Sequence, residues 1–137
     1  MNIIVDTSVW SLVLRRRQVN EKDPYVVAFR SHIDRSDGIH LTGNILQELL
    51  DGVATDVDFE KLVRLLDPFP LVPLKRDSFI QASKLRSHCR RKGIQASPTD
   101  FLIAACCIEN GYPLLTSDHD FLRIAKHSDL TLLPIQP

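Results

Sequence analysis

Four acidic side chains occupy positions in the sequence from which they could act together on a metal ion: Asp6, Glu48, Asp100 and Asp118. Carboxylates that lie within a few ångströms of one another repel, and a hard divalent cation such as Mg²⁺ relieves that repulsion through oxygen ligands. Such an ion also provides the chemistry that phosphodiester hydrolysis requires. The sequence has no Cys/His cluster with zinc spacing, which argues against zinc.

Taken singly, each of these acids also fits an ordinary structural role. Asp6 could begin a turn after a strand, and Asp118 could be a loop acid. Glu48 could be a solvated residue on the polar side of a helix, and Asp100 could cap a helix together with Ser97. The metal hypothesis therefore depends on whether the fold brings the acids together.

Short apolar segments alternate with helical patterns along the chain, which is typical of a parallel α/β sheet. We predict strands at 3–5, 39–42, 114–116 and 130–135, and an extended edge segment at 69–74. We predict a helix after Asp6 and further helices at 25–35, 44–52, 58–66, 77–92 and 98–110. Either Thr42 or Asn44 could cap the third of these helices. The expected fold is a three-layer α/β/α sandwich with a central, mostly parallel sheet of four to five short strands. We expect residues 1–137 to form a single domain.

The predicted elements place the acids at one edge of this sheet. Asp6 and Asp118 follow two of the strands, and functional clefts of open parallel sheets lie at the carboxyl ends of strands. Asp100 lies in the first turn of a helix that is apolar on every side, with Ser97 as its N-cap and Pro98 as its first residue. Glu48 lies one turn into the helix that follows the second strand. If these strands are neighbours, the four carboxylates converge.

The composition is that of an ordinary globular protein, with 44% hydrophobic and 25% charged residues among 137. No apolar run approaches the ~18 to 20 residues of a membrane span, and the first residues lack a signal-peptide pattern. Cys89, Cys106 and Cys107 are odd in number and lack CxxC spacing. We therefore expect buried, reduced thiols in a cytoplasmic protein that does not interact with membranes.

Basic residues are concentrated in one segment although the 17 basic and 17 acidic residues balance. Residues 75–93 contain seven basic side chains and one acid. If the four acids above and Asp120 are set aside, 12 acidic residues remain against 17 basic residues. This excess of positive charge would suit RNA. The candidate phosphate contacts are Arg86, Arg90, Arg91 and Lys92, together with Arg15, Arg16 and Arg17. The helix dipole alone would also favour cations at the end of a helix.

Several motifs together resemble those of PIN-domain nucleases, and the resemblance extends over nearly the whole chain. They are Val5-Asp6-Thr7-Ser8, the helical Glu48, Asp100-Phe101-Leu102-Ile103-Ala104-Ala105, and Leu115-Thr116-Ser117-Asp118-His119-Asp120-Phe121. Their size and spacing are similar to the VapC-type ribonuclease toxins of type II toxin–antitoxin systems.

This resemblance implies that Asp6, Glu48, Asp100 and Asp118 are catalytic acids that bind Mg²⁺, with Mn²⁺ as a possible substitute. Asp120 would also belong to the metal-binding set, as a supporting acid. Thr7 or Ser8 would form a hydrogen bond near the first acid, and Thr116 would position the last. The resemblance further implies endoribonuclease activity, a homodimer, and inhibition by a cognate antitoxin protein.

Two other functions agree with parts of the sequence. One is a PIN-like module that binds RNA or protein without cutting it, which the intact set of acids disfavours. The other is a phosphohydrolase that uses Asp6 as a nucleophile. This second function needs a lysine at the end of a strand to hold phosphate, and the sequence offers none.

Overall fold

The computed structural model describes residues 1–15 and 17–135, in which helices alternate with three short strands. The strands are β1 (Asn2–Val5), β2 (Gly38–His40) and β3 (Leu114–Leu115). The helices are α1 (Thr7–Val13), α2 (Pro24–Asp34), α3 (Gly43–Asp51), α4 (Asp56–Leu66), α5 (Arg76–Arg91), α6 (Pro98–Asn110) and α7 (His119–Lys126). None of these helices is long and apolar enough to cross a bilayer.

The three strands form one parallel sheet in the order β2-β1-β3. In the central strand, Ile4 is in register with His40 of β2 and Leu114 of β3, and Val5 is in register with Leu115. Ile3, Ile4 and Val5 are fully buried although successive residues point to opposite faces, so both faces of the sheet are covered. The main helix contacts form two groups, α1–α4 and α5–α7, as a three-layer α/β/α fold requires.

The sheet is narrower than the four to five strands predicted. Segment 69–74 forms only one parallel bridge, between Leu71 and Leu41, because Pro70 and Pro73 have no N–H to donate to a longer ladder. Segment 130–135 likewise forms one bridge, between Leu132 and Leu114, because β3 offers a partner strand of only two residues. Across the sheet the order is nevertheless 69–74, β2, β1, β3 and 130–135, and all the neighbouring segments are parallel.

Helix α6 begins and ends as its sequence predicts. Ser97 Oγ accepts a hydrogen bond from the backbone N–H of Asp100 at 3.1 Å, and Asp100 Oδ2 accepts one from the N–H of Ser97 at 3.3 Å. Gly111 ends the helix with φ +67°, a conformation that favours glycine. Six of its thirteen residues are buried, including Cys106 and Cys107, which like Cys89 are free thiols.

The other helices lie within two residues of their predicted ends, except for α7, which the sequence pattern did not predict. Thr42 rather than Asn44 caps α3, since Thr42 Oγ1 accepts a hydrogen bond from the N–H of Ile45 at 3.3 Å. Helix α4 begins at Asp56, two residues before the predicted start, because Thr55 is its N-cap. Helix α7 directly follows Asp118 and so determines the surroundings of that acid.

Candidate metal centre

Asp6 is held in place by hydroxyl groups at the carboxyl ends of β1 and β3. Its Oδ2 atom accepts hydrogen bonds from Ser8 Oγ at 2.8 Å and Thr116 Oγ1 at 2.9 Å. The N–H of Ser8 points to the same oxygen at 3.4 Å, so that Asp6 is the N-cap of α1. The residue is 5% exposed, and these contacts satisfy a carboxylate that burial would otherwise destabilise.

Asp118 is connected to Asp6 through the hydroxyl of Thr116. Thr116 Oγ1 donates to Asp6 and accepts from the N–H of Asp118 at 3.0 Å. The N–H of Ser117 donates to Ser8 Oγ at 3.0 Å, a second connection between the ends of the two strands. Because β1 and β3 are neighbours, the acids that follow them are fixed beside each other.

Asp100 faces these two acids from the first turn of α6. Burial of the side chain raises the pKa of Asp100, and the negative charges of Asp118 and Asp6 raise it further, against the opposing effect of the Ser97 hydrogen bonds. The part of this rise that comes from Asp118 and Asp6 reflects repulsion between negative charges, which a cation would relieve.

Three carboxylates lie close enough to bind one ion. Oxygen atoms of Asp100, Asp118 and Asp120 are all within 4.8 Å of one another, and each of these side chains is partly exposed. In residues 1–15 and 17–135 this is the one group of at least three His, Cys, Asp or Glu side chains with such spacing. We call these three residues the acidic cluster. Partly exposed carboxylates that leave room for water suit the octahedral, oxygen-rich coordination of Mg²⁺.

The acidic cluster contains three of the five acids that the sequence predicted to bind metal. It includes Asp120, which the sequence suggested as a supporting acid, because α7 turns this side chain toward Asp118. It does not include Asp6 or Glu48. Asp6 instead accepts a hydrogen bond from the Thr116 hydroxyl, and exposed Glu48 accepts one from Thr7 Oγ1 at 2.9 Å. Since Thr7 follows Asp6 in the chain, Glu48 lies at the adjacent part of the same edge.

Arg123 contacts the acidic cluster and was not identified from the sequence. It lies on α7 three residues after Asp120 and forms an ion pair with the Asp120 carboxylate. The relevant signal is the spacing of an acid and a base on one helix face, which can be recognised only once α7 itself is predicted.

Basic side chains lie at the same end of the α5–α6 hairpin as Asp100. Helix α5 ends at Arg91 and a short connection leads to α6, so Arg90, Arg91 and Lys92 are near the amino end of α6. These three and Arg86 are exposed and form no ion pair with any described residue. Arg86 also lines a cavity of about 310 Å³ between α5 and α6. Arg15 and Arg17 are exposed, and Arg16 lies outside the described residues.

A parallel α/β sheet with a carboxylate cluster at the carboxyl ends of its strands defines a class of domain suited to metal-dependent chemistry. The family model described as "PIN domain" matches residues 3–127. The chain therefore belongs to the PIN domain family, as its motifs predicted. The search of curated proteins found no match.

Solved structures with the same fold come from several bacteria. FitAcB from Neisseria gonorrhoeae is similar with a TM-score of 0.75 and 22% identity over 96% of each chain. VapBC2 from Rickettsia felis, bound to a DNA fragment from their promoter, has a TM-score of 0.76 and 16% identity over 97% of this chain and 98% of that one. VapBC-5 from Mycobacterium tuberculosis, a member of the VapBC family of toxin-antitoxin systems, has a TM-score of 0.68 and 19% identity over 96% and 97%.

Replacing Asp100 with Asn tests whether an ionised carboxylate at this partly buried position, close to two other acids, destabilises the metal-free protein. A carboxylate whose pKa is raised on folding contributes stability below its unfolded pKa, and this contribution is lost as pH rises through the folded pKa. We therefore expect Asp100→Asn to raise Tm in EDTA at pH 7, and the difference from wild type to shrink toward pH 3. Thermal unfolding followed by circular dichroism measures both.

Asp129→Asn is the matched control, since Asp129 is an exposed acid outside the cluster. It should leave Tm almost unchanged at either pH. A lower Tm for Asp100→Asn at pH 7 in EDTA would show that the ionised Asp100 carboxylate does not destabilise the fold.

Proposed function

We propose that the protein is a metal-dependent endoribonuclease that hydrolyses RNA phosphodiester bonds with Mg²⁺, or Mn²⁺ in its place. The observation that carries the proposal is the acidic cluster at the carboxyl edge of a PIN-domain sheet. In this proposal Asp100, Asp118 and Asp120 bind the metal directly. Asp6 and Glu48 complete the set of acids around it.

The role proposed for each residue is based on the contacts of its side chain. When bound, the ion would lower the pKa of a water molecule beside the scissile phosphate and offset the negative charge that develops there. Ser8 and Thr116 orient Asp6, and Thr116 sets the backbone position of Asp118. Thr7 orients Glu48. Phe101, Ile103 and Ala104, which follow Asp100 in α6, are almost fully buried, and apolar surroundings strengthen electrostatic interactions.

Asp6 is poorly placed for the alternative role of a phosphohydrolase nucleophile. Its Oδ2 atom already accepts hydrogen bonds from Ser8 and Thr116, and the residue is almost fully buried. A nucleophilic carboxylate needs a lone pair directed at accessible substrate. These contacts favour Asp6 as a fixed negative charge beside the metal and not as a nucleophile.

Purified protein should cleave RNA with Mg²⁺ or Mn²⁺ and lose this activity in EDTA. Asp118→Asn should reduce the cleavage rate by at least about 100-fold, because loss of even an outer partner of a metal ligand commonly costs 10- to 100-fold. The measurement is the initial rate of cleavage of a labelled RNA, with metal affinity determined on the same preparations.

Asp129→Asn serves again as the control and should cleave at the wild-type rate. Undiminished cleavage in EDTA would contradict the metal mechanism. Wild-type protein that binds metal and RNA but does not cleave would instead support the non-cleaving PIN-like module.

We further propose that RNA binds across the basic end of α5. Arg86, Arg90, Arg91 and Lys92 have no acidic partner among the described residues, so their charges are available to phosphates. Three of them are near the amino end of α6, where Asp100 lies. A strand held there would have its backbone next to the acidic cluster.

The double variant R90Q/R91Q should weaken RNA binding and make it less sensitive to salt. For single-stranded RNA, each lost phosphate contact reduces the slope of log K against log salt by about 0.7. Fluorescence anisotropy in EDTA measures binding without cleavage. Arg64→Gln on α4 removes one exposed positive charge elsewhere and is the control. An unchanged slope in R90Q/R91Q would exclude this surface as the RNA contact.

We also propose that the protein is the toxin of a toxin–antitoxin pair. The support is the PIN family match and the fold shared with VapBC-5, a member of a toxin-antitoxin family. A cognate antitoxin protein would then bind and inhibit it. We propose that residues 1–137 act as one nuclease domain, since core contacts extend from β1 to Ile135. The homodimer that the family resemblance implies stays a prediction.

Induced expression of the wild-type chain should arrest bacterial growth, and Asp118→Asn at equal protein level should not. Coexpression of the protein encoded by the adjacent small reading frame should restore growth. Equal growth arrest by both forms would mean that toxicity comes from binding and not from cleavage. Colony counts after induction, with immunoblots for protein level, measure these outcomes.

A further inference from the structure

Arg123 places a positive charge directly against one acid of the cluster. Its Nη2 atom pairs with Asp120 Oδ1, and the two residues are three apart on α7, a spacing that brings helical side chains together. The Arg123 side chain is 55% exposed and that of Asp120 is 33% exposed. The guanidinium therefore approaches the cluster from the solvent side.

The contacts of Asp120 differ in kind from those of the other two cluster acids. Asp100 and Asp118 accept hydrogen bonds from backbone N–H groups at the starts of their helices. Of the ion pairs found in residues 1–15 and 17–135, only that of Arg123 includes a cluster acid. The neutral backbone contacts can persist beside a metal ion, whereas a guanidinium would repel it.

We propose that Arg123 is an internal counter-cation that competes with the metal for Asp120. In the metal-free protein Arg123 offsets part of the cluster's negative charge through Asp120. When the metal binds, Asp120 is released by Arg123 and becomes a ligand. This inference rests on the proposed metal-binding function and assigns Arg123 a role in setting metal affinity.

The competition has opposite consequences for two measurable quantities. Removing the guanidinium leaves the three carboxylates less well compensated, so the metal-free protein should be no more stable than wild type. The same change removes a repulsive charge and a competitor from the site, so metal affinity should rise. A merely structural ion pair would give the reverse, because its loss would loosen Asp120 and weaken metal binding.

The test is the affinity of Arg123→Gln for Mn²⁺, with free Mn²⁺ measured by electron paramagnetic resonance. For a partly exposed pair, we expect the dissociation constant to fall roughly three- to tenfold. Lys126→Gln removes the same charge from the last turn of α7, where Lys126 is exposed. It should change the dissociation constant far less. Circular dichroism in EDTA verifies that each variant is folded.

The Asp120→Asn background separates competition for Asp120 from a general effect of charge. In that background, adding Arg123→Gln should increase Mn²⁺ affinity much less than it does in wild type. Unchanged or weaker binding by Arg123→Gln would overturn the inference while leaving the metal site intact. An equal increase in Lys126→Gln, or a full effect in the Asp120→Asn background, would also overturn it. Absence of Mn²⁺ binding by wild-type protein would overturn the proposed function as well.

Discussion

Hydrogen bonds from backbone N–H groups at the starts of three helices hold the acids at the edge of the sheet. Asp6 accepts from Ser8, Asp100 from Ser97 and Asp118 from Asp120. Carboxylates near the amino end of a helix are each stabilised by ~0.3–1 kcal/mol at exposed positions. The same contacts that start the helices therefore offset part of the repulsion between the acids, so the fold can keep them close before a cation binds.

The order of the strands makes this arrangement possible. Because β1 and β3 are parallel neighbours, the residues that follow Val5 and Leu115 leave the sheet at the same edge. Ser8 and Thr116 then connect the two chain segments through their hydroxyls. A sheet with a strand inserted between β1 and β3 would separate Asp6 from Asp118 by a further strand spacing and break these bonds.

Regular patterns in the sequence predicted much of this fold, and local chemistry explains what they did not. Unbroken apolar runs predicted the parallel strands, and Ser97-Pro98 predicted the start of α6. Helix α7 was missed because it has only eight residues and because Asp118 was interpreted as the acid after a strand and not as an N-cap. The position of Asp120 depends on this N-cap. The N–H of Asp120 donates to Asp118 Oδ1 at 2.9 Å, which brings the two residues together. Ligand geometry of this kind depends on side-chain direction, which motif spacing does not specify.

Buried residues of α6 contribute to the electrostatics near the acids. Cys107 lies on the buried part of α6, and burial raises the pKa of its thiol, with further increases from Cys106 and the charge of Asp6. Burial, with a contribution from Glu109, raises the pKa of Cys106 to about 11, so both thiols stay neutral and add no negative charge. A surface that is apolar on one side screens charge poorly, so the carboxylates repel one another more than they would in open water. The same poor screening increases the attraction of the acids for Arg123 and for a divalent ion. The affinity of the site for metal is therefore set by two opposing quantities, the repulsion that a cation relieves and the positive charge that the protein already supplies.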